Sequence, residues 1–94
     1  MFFILFCSIN GDGIYIFGNS AFIYNNTISN NSNHGIYSAA SLVQIVKNRV
    51  VDNGAHGILA SGNFHRIIDN QILRNEKSGL YISSASYSKV EGNT

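Results

Sequence analysis

Four glycines stand at a fixed interval: Gly13, Gly35, Gly57 and Gly79 are each 22 residues apart. Each opens a similar phrase, GIYI, GIYS, GILA and GLYI. A constant period of this length makes the chain a stack of like units, so each residue takes its meaning from its column. Counted from the glycine, the second column is Ile14, Ile36, Ile58 and Leu80. The eleventh is Ile23, Ile45 and Ile67, and the sixteenth is Ile28, Val50 and Ile72. Two further columns are asparagine: Asn26, Asn48 and Asn70, then Asn31, Asn53 and Asn75. The last unit regains the pattern with one extra residue, because Val90 and Asn93 keep the spacing of Ile67 and Asn70.

The units do not read as helices. Their short β-branched runs are broken by Asn, Gly and Ser, which favour turns. No window keeps apolar residues at helical spacing over the ~10–12 residues a helix needs. Three strands of roughly 3–5 residues per unit fit instead: one after each Gly, one ending before the first Asn, one between the two Asn columns. Three short strands in 22 residues make one rung of a parallel β-helix. Rungs stack at about 4.8 Å, so the Ile columns become internal ladders. The Asn columns are then turn positions, where Asn tolerates left-handed backbone angles and can bond the next rung's Asn. Gly in the first column suits a corner where a Cβ would clash. The absence of proline agrees, since inner rungs must donate their N–H groups. The expected fold is all-β, a parallel β-helix solenoid of about four rungs.

Length and charge narrow the function classes. The chain has 94 residues, a net charge of +1 and 12% charged residues. That leaves no basic field for nucleic acid. The single Cys7 excludes an internal disulfide and reads as a small buried apolar residue. Met1 to Cys7 is the one unbroken apolar run. It is too short to span a bilayer and lacks the basic start and cleavage site of a signal peptide. Residues 1–12 therefore read as an apolar cap or a partial earlier rung, and 13–94 as repeats. The repeat stops in mid-unit at Thr94. Open solenoid ends need polar caps, so a longer protein or end-to-end self-association is expected.

The phrase NNTISNNSNHGIY, echoed by KNRVVDNGAHGIL and DNQILRNEKSGLY, resembles the N-x-I-x-x-N-x-x-x-G-I repeat of the right-handed, pectate-lyase-like parallel β-helix superfamily. Within it the repeats look most like those of NosD-like proteins. The resemblance covers about residues 13–94 and implies right-handed winding. The superfamily holds polysaccharide lyases, hydrolases, alginate epimerases, surface proteins and tailspikes, so the motif specifies fold rather than activity. The Asp-Pro-His motif of the epimerases is absent. The calcium-binding carboxylates and catalytic Arg of pectate lyases have no recognisable match. The NosD likeness tilts the expected location toward an extracytoplasmic site.

Stacking turns residues 22 apart into neighbours, so surface columns are where chemistry belongs. Asp12, His34 and His56, with Ser78 after them, precede the glycines. One Asp and two His on one edge could bind a metal or share a proton; polar residues of a wet turn are the simpler account. Tyr15, Tyr37 and Tyr81, with Leu59 between, follow the inward Ile and so point outward. Such a row suits sugar rings or a protein contact, or simply stacks on itself. Lys47 and Asp69 share one column with Asn25; Asp52 and Arg74 share another with Asn30. These four are the available base-and-cation sets for a lyase or epimerase; cross-rung ion pairs are the simpler account. His65 and Arg66 stand alone, and a partly buried or surface position suits His65. Asn25 and Asn30 begin glycosylation sequons in an Asn-rich chain. No cofactor is implied. The expected role is a non-catalytic scaffold presenting a flat face to a carbohydrate or protein partner. The alternatives are part of a polysaccharide-acting enzyme, or a structural spacer.

Overall fold

The computed structural model describes residues 6–7, 11–63, 65–83 and 89–92. After β1 (Phe6–Cys7) the strands come in threes. The first turn holds β2 (Ile14–Ile16), β3 (Phe22–Tyr24) and β4 (Thr27–Ser29). The second holds β5 (Ile36–Ser38), β6 (Gln44–Val46) and β7 (Arg49–Val51). The third holds β8 (Ile58–Ser61), β9 (Arg66–Ile68) and β10 (Gln71–Leu73), and β11 (Leu80–Ser83) and β12 (Lys89–Glu91) follow. Equivalent strands stack into three parallel sheets: β2-β5-β8-β11, β3-β6-β9-β12 and β1-β4-β7-β10. The molecule is thus a β-solenoid of three full turns with further strands at each end. No helix among the described residues is long and apolar enough to cross a membrane.

The register is the sequence period. Ile14 pairs with Ile36 and Ile36 with Ile58; Ile23 pairs with Ile45 and Ile45 with Ile67. Val90 pairs with Ile67, so the extra residue is absorbed between Ser83 and Lys89. Phe6 pairs with Ile28, which continues the third sheet by one strand before the first glycine. The side chain of Cys7 and the residues Asn93 and Thr94 lie outside what is described.

The strands of the first two turns, with β8 and β9, turn their central or flanking aliphatic residues inward, whereas Ile82 and Val90 in the last strands are exposed. Ile28, Ile36, Val43, Ile45, Val50, Ile58 and Ile67 have no exposed surface. Burying each such side chain contributes about 1.5–3 kcal/mol, and stacking places aliphatic residues of successive rungs against one another in one core. The first-column glycines allow this closeness. A Cβ on Gly35 would lie 2.5 Å from Val50 Cγ1 and 2.7 Å from the Gly57 carbonyl oxygen. None of the four has a positive φ, so the requirement is space, not backbone freedom.

Candidate functional site

The corners decide what each polar column does. Left-handed backbone angles occur one residue before each ladder asparagine: at Asn25, Lys47 and Asp69, and at Asn30, Asp52 and Arg74. The expectation that Asn26, Asn48, Asn70, Asn31, Asn53 and Asn75 take those angles is therefore corrected. The φ requirement falls on their neighbours, which tolerate it without being glycine. The asparagines themselves turn inward; Asn26, Asn31, Asn48, Asn53 and Asn70 are between 1% and 4% exposed.

Inside, the asparagines form two amide ladders. Asn26 Nδ2 donates to Asn48 Oδ1 (3.3 Å), and Asn48 Nδ2 to Asn70 Oδ1 (3.1 Å). Asn31 Nδ2 donates to Asn53 Oδ1 and Asn53 Nδ2 to Asn75 Oδ1, both at 2.8 Å. The backbone N–H groups of Asn26 and Asn48 donate to the same Oδ1 atoms, at 2.8 and 2.9 Å. Asn48 and Asn70 also donate back to the carbonyls of Ile23 and Ile45. The ladders close corners where sheet pairing stops, so they satisfy backbone groups that burial would otherwise leave costly.

The column of Asp12, His34 and His56 is a third ladder of a different kind. The N–H of His34 donates to Asp12 Oδ1 (3.1 Å), that of His56 to His34 Nδ1 (3.1 Å) and that of Ser78 to His56 Nδ1 (3.1 Å). The two imidazoles stack with centroids 5.2 Å apart and planes 8° apart. An accepting Nδ1 leaves the proton of a neutral ring on Nε2, which then has no lone pair for a metal. Among the described residues no group of three His, Cys, Asp or Glu converges on a common point. Burial holds the His34 pKa below 6.5; Asp12 opposes this, while His56 and Lys77 add to it.

The tyrosine column does face outward: Tyr15 is 56% exposed and Tyr81 46%. Tyr15 and Tyr37 stack on each other, with centroids 5.0 Å apart and planes 10° apart. Their facing surfaces are therefore spent on each other. The histidines join the row: His34 meets the Tyr37 ring edge-on at 5.5 Å, and His56 lies 4.9 Å from Tyr81. His56 thus contacts Tyr81 where Leu59 interrupts the tyrosine column. Phe17 extends the row beyond Tyr15 at 6.0 Å and is 83% exposed. The result is a continuous aromatic stripe along the first sheet and its leading edge. Phe17 has no aromatic column mate, so repeat counting does not find it; an apolar residue just outside a strand is its only signal.

The four charged candidates divide between two corners. Arg74 grips Asp52 with two hydrogen bonds, Nε to Oδ1 (2.8 Å) and Nη2 to Oδ2 (3.0 Å). The Arg74 guanidinium holds the Asp52 carboxyl below its usual range, and Asp52 raises Arg74 in turn. The pair lines an open polar groove of about 450 Å³ with Asn30, Ser32, Gly54 and Glu76. Lys47 and Asp69 border a separate groove of about 280 Å³ at the other end of the third sheet's strands. Lys47 and Asp69 do not form an ion pair there; Lys47 Nζ sits 5.9 Å from the Tyr24 ring centroid. The two sets are not brought together.

His65 also departs from expectation. It is 1% exposed and donates through Nε2 to the Ser61 carbonyl at 2.9 Å. It sits just before β9, at a level where the aliphatic Val43 occupies the turn before.

A family model described as "Right handed beta helix region" matches residues 4–94. No curated protein matches the chain, and no solved structure does.

Proposed function

The chain belongs to the right-handed β-helix family, and from that premise we propose that it is a non-catalytic scaffold. Its role is to present the aromatic stripe of the first sheet to a carbohydrate or protein partner. The observation that carries this reading is the unbroken line of Phe17, Tyr15, Tyr37, His34, His56 and Tyr81. A row of rigid aromatic side chains offers large contact area at low entropy cost. Because neighbouring rings stack, the stripe offers ring edges, phenol hydroxyls and imidazole N–H groups more than open ring faces. Sugar hydroxyls and peptide groups both complement such an edge.

The charged columns support structure over chemistry. A lyase or epimerase needs a base and a cation converging on one substrate carboxylate. Asp52 and Arg74 neutralise each other, and Lys47 and Asp69 sit at another corner.

Tyrosine fluorescence during titration with chitin, alginate and pectin oligomers tests the carbohydrate arm. A photo-cross-linking residue at position 15 tests the protein arm. A saturable response, lost in Tyr15→Ala with unchanged circular dichroism, is expected from one of them. No oligomer response together with no specific cross-link contradicts the reading.

A further inference from the structure

Of the six ladder asparagines, one is followed by glycine: Asn53-Gly54. An Asn-Gly pair is the sequence least hindered toward attack of the next backbone nitrogen on the side-chain amide, because no Cβ shields that nitrogen. We propose that Asn53 is a latent self-modification site, guarded by the ladder and opened only when its rung unfolds. The reaction needs no partner but water. The Gly54 nitrogen loses its proton and bonds Asn53 Cγ, the Cγ–NH2 bond breaks, and ammonia leaves. Water then opens the cyclic imide to aspartate or isoaspartate.

The fold blocks each requirement of the first step. The attacking N–H of Gly54 is held by the Asn31 carbonyl at 2.9 Å. The target amide is clamped on both sides: Oδ1 accepts from Asn31 N–H (3.2 Å) and Nδ2 (2.8 Å), and Nδ2 donates to Asn75 Oδ1 (2.8 Å). Asn53 is 1% exposed although it borders the open groove beside Asp52 and Arg74, so it is the hydrogen bonds at Asn53 and Gly54, rather than distance from solvent, that hold the reaction back.

The product cannot rejoin the stack. Aspartate at position 53 has no donor for Asn75 Oδ1 and sets two acceptors against each other inside the molecule. Isoaspartate lengthens the backbone and breaks the pairing at that corner. An opened chain that reacts is thereby withdrawn from the folded pool, so the pair records unfolding irreversibly.

The test follows Asn53 by peptide mass spectrometry in mildly alkaline buffer, native and in denaturant. Conversion in the native chain is expected to be at least about tenfold slower than in denaturant, since it proceeds through the open fraction alone. Converted chains are expected not to regain their circular dichroism after the denaturant is removed. Asn75→Ala, which removes one side of the clamp, is expected to speed native conversion. Equal rates in native and denatured chains would overturn the proposal, as would full refolding of converted chains or an unaltered native rate in Asn75→Ala.

Discussion

Leu42 holds a φ of 60° and is 51% exposed. A branched apolar side chain in the left-handed region costs about 1–2 kcal/mol, and here burial offsets little of it. Leu42→Asn should therefore raise stability by about 1 kcal/mol, read as a higher urea midpoint with unchanged slope. The glycines make the opposite case. Gly35→Ala drives a methyl into Val50 and the Gly57 carbonyl and should cost about 1–3 kcal/mol or more. On Gly79 the same methyl meets Ile72 Cγ2 at 3.3 Å and nothing closer. Gly79→Ala should leave the thermal midpoint nearly unchanged. An equal cost at both positions would contradict the reading that space sets the column.

At the scale of the strand and its corners, two kinds of ladder divide the work. The amide ladders are uncharged at every ordinary pH. The histidine ladder is not. His34 has its pKa lowered from 6.5 in the folded chain, chiefly by burial. As pH falls below 6.5 the unfolded chain takes the proton first, so stability is whole above that value and declines beneath it. The thermal midpoint should be flat above pH 6.5, fall below it, and flatten again in His34→Asn, whose Oδ1 can still accept the His56 N–H. A second decline belongs to Asp52, whose carboxyl is held below 3.8 by Arg74, and it should vanish in Arg74→Ala. The strands themselves were legible in the sequence, because an Ile column and a Gly column leave one period and one inward face. The ladders were legible as Asn columns. The left-handed positions were only partly so: Asn25, Asn30, Asp52 and Asp69 are residue types that tolerate the angle, whereas Lys47 and Arg74 carry no turn signature and take it by falling in the same columns. The inward turn of His65 was hidden by its polarity, although its place 22 residues after the apolar Val43 points inward.

For the whole molecule, the repeat makes stability a sum over neighbouring rungs, spread through a body of 31 × 25 × 23 Å. Its surface chemistry is also set by stacking: the stripe exists because Tyr, His and Phe from successive turns fall into line. Buried amide ladders in a register of 22 residues hold these turns together. Amide hydrogen exchange tests this most directly, in the native chain and in Asn48→Ala. The N–H groups of Asn26, Asn31, Asn48 and Asn53, each bonded to a ladder Oδ1, should exchange among the slowest in the chain. In Asn48→Ala, global stability should drop by about 3 kcal/mol, as buried groups lose their partners, and Asn26 should lose protection most. Rapid exchange at these four amides, or an Asn48→Ala chain as protected as the native one, would contradict it.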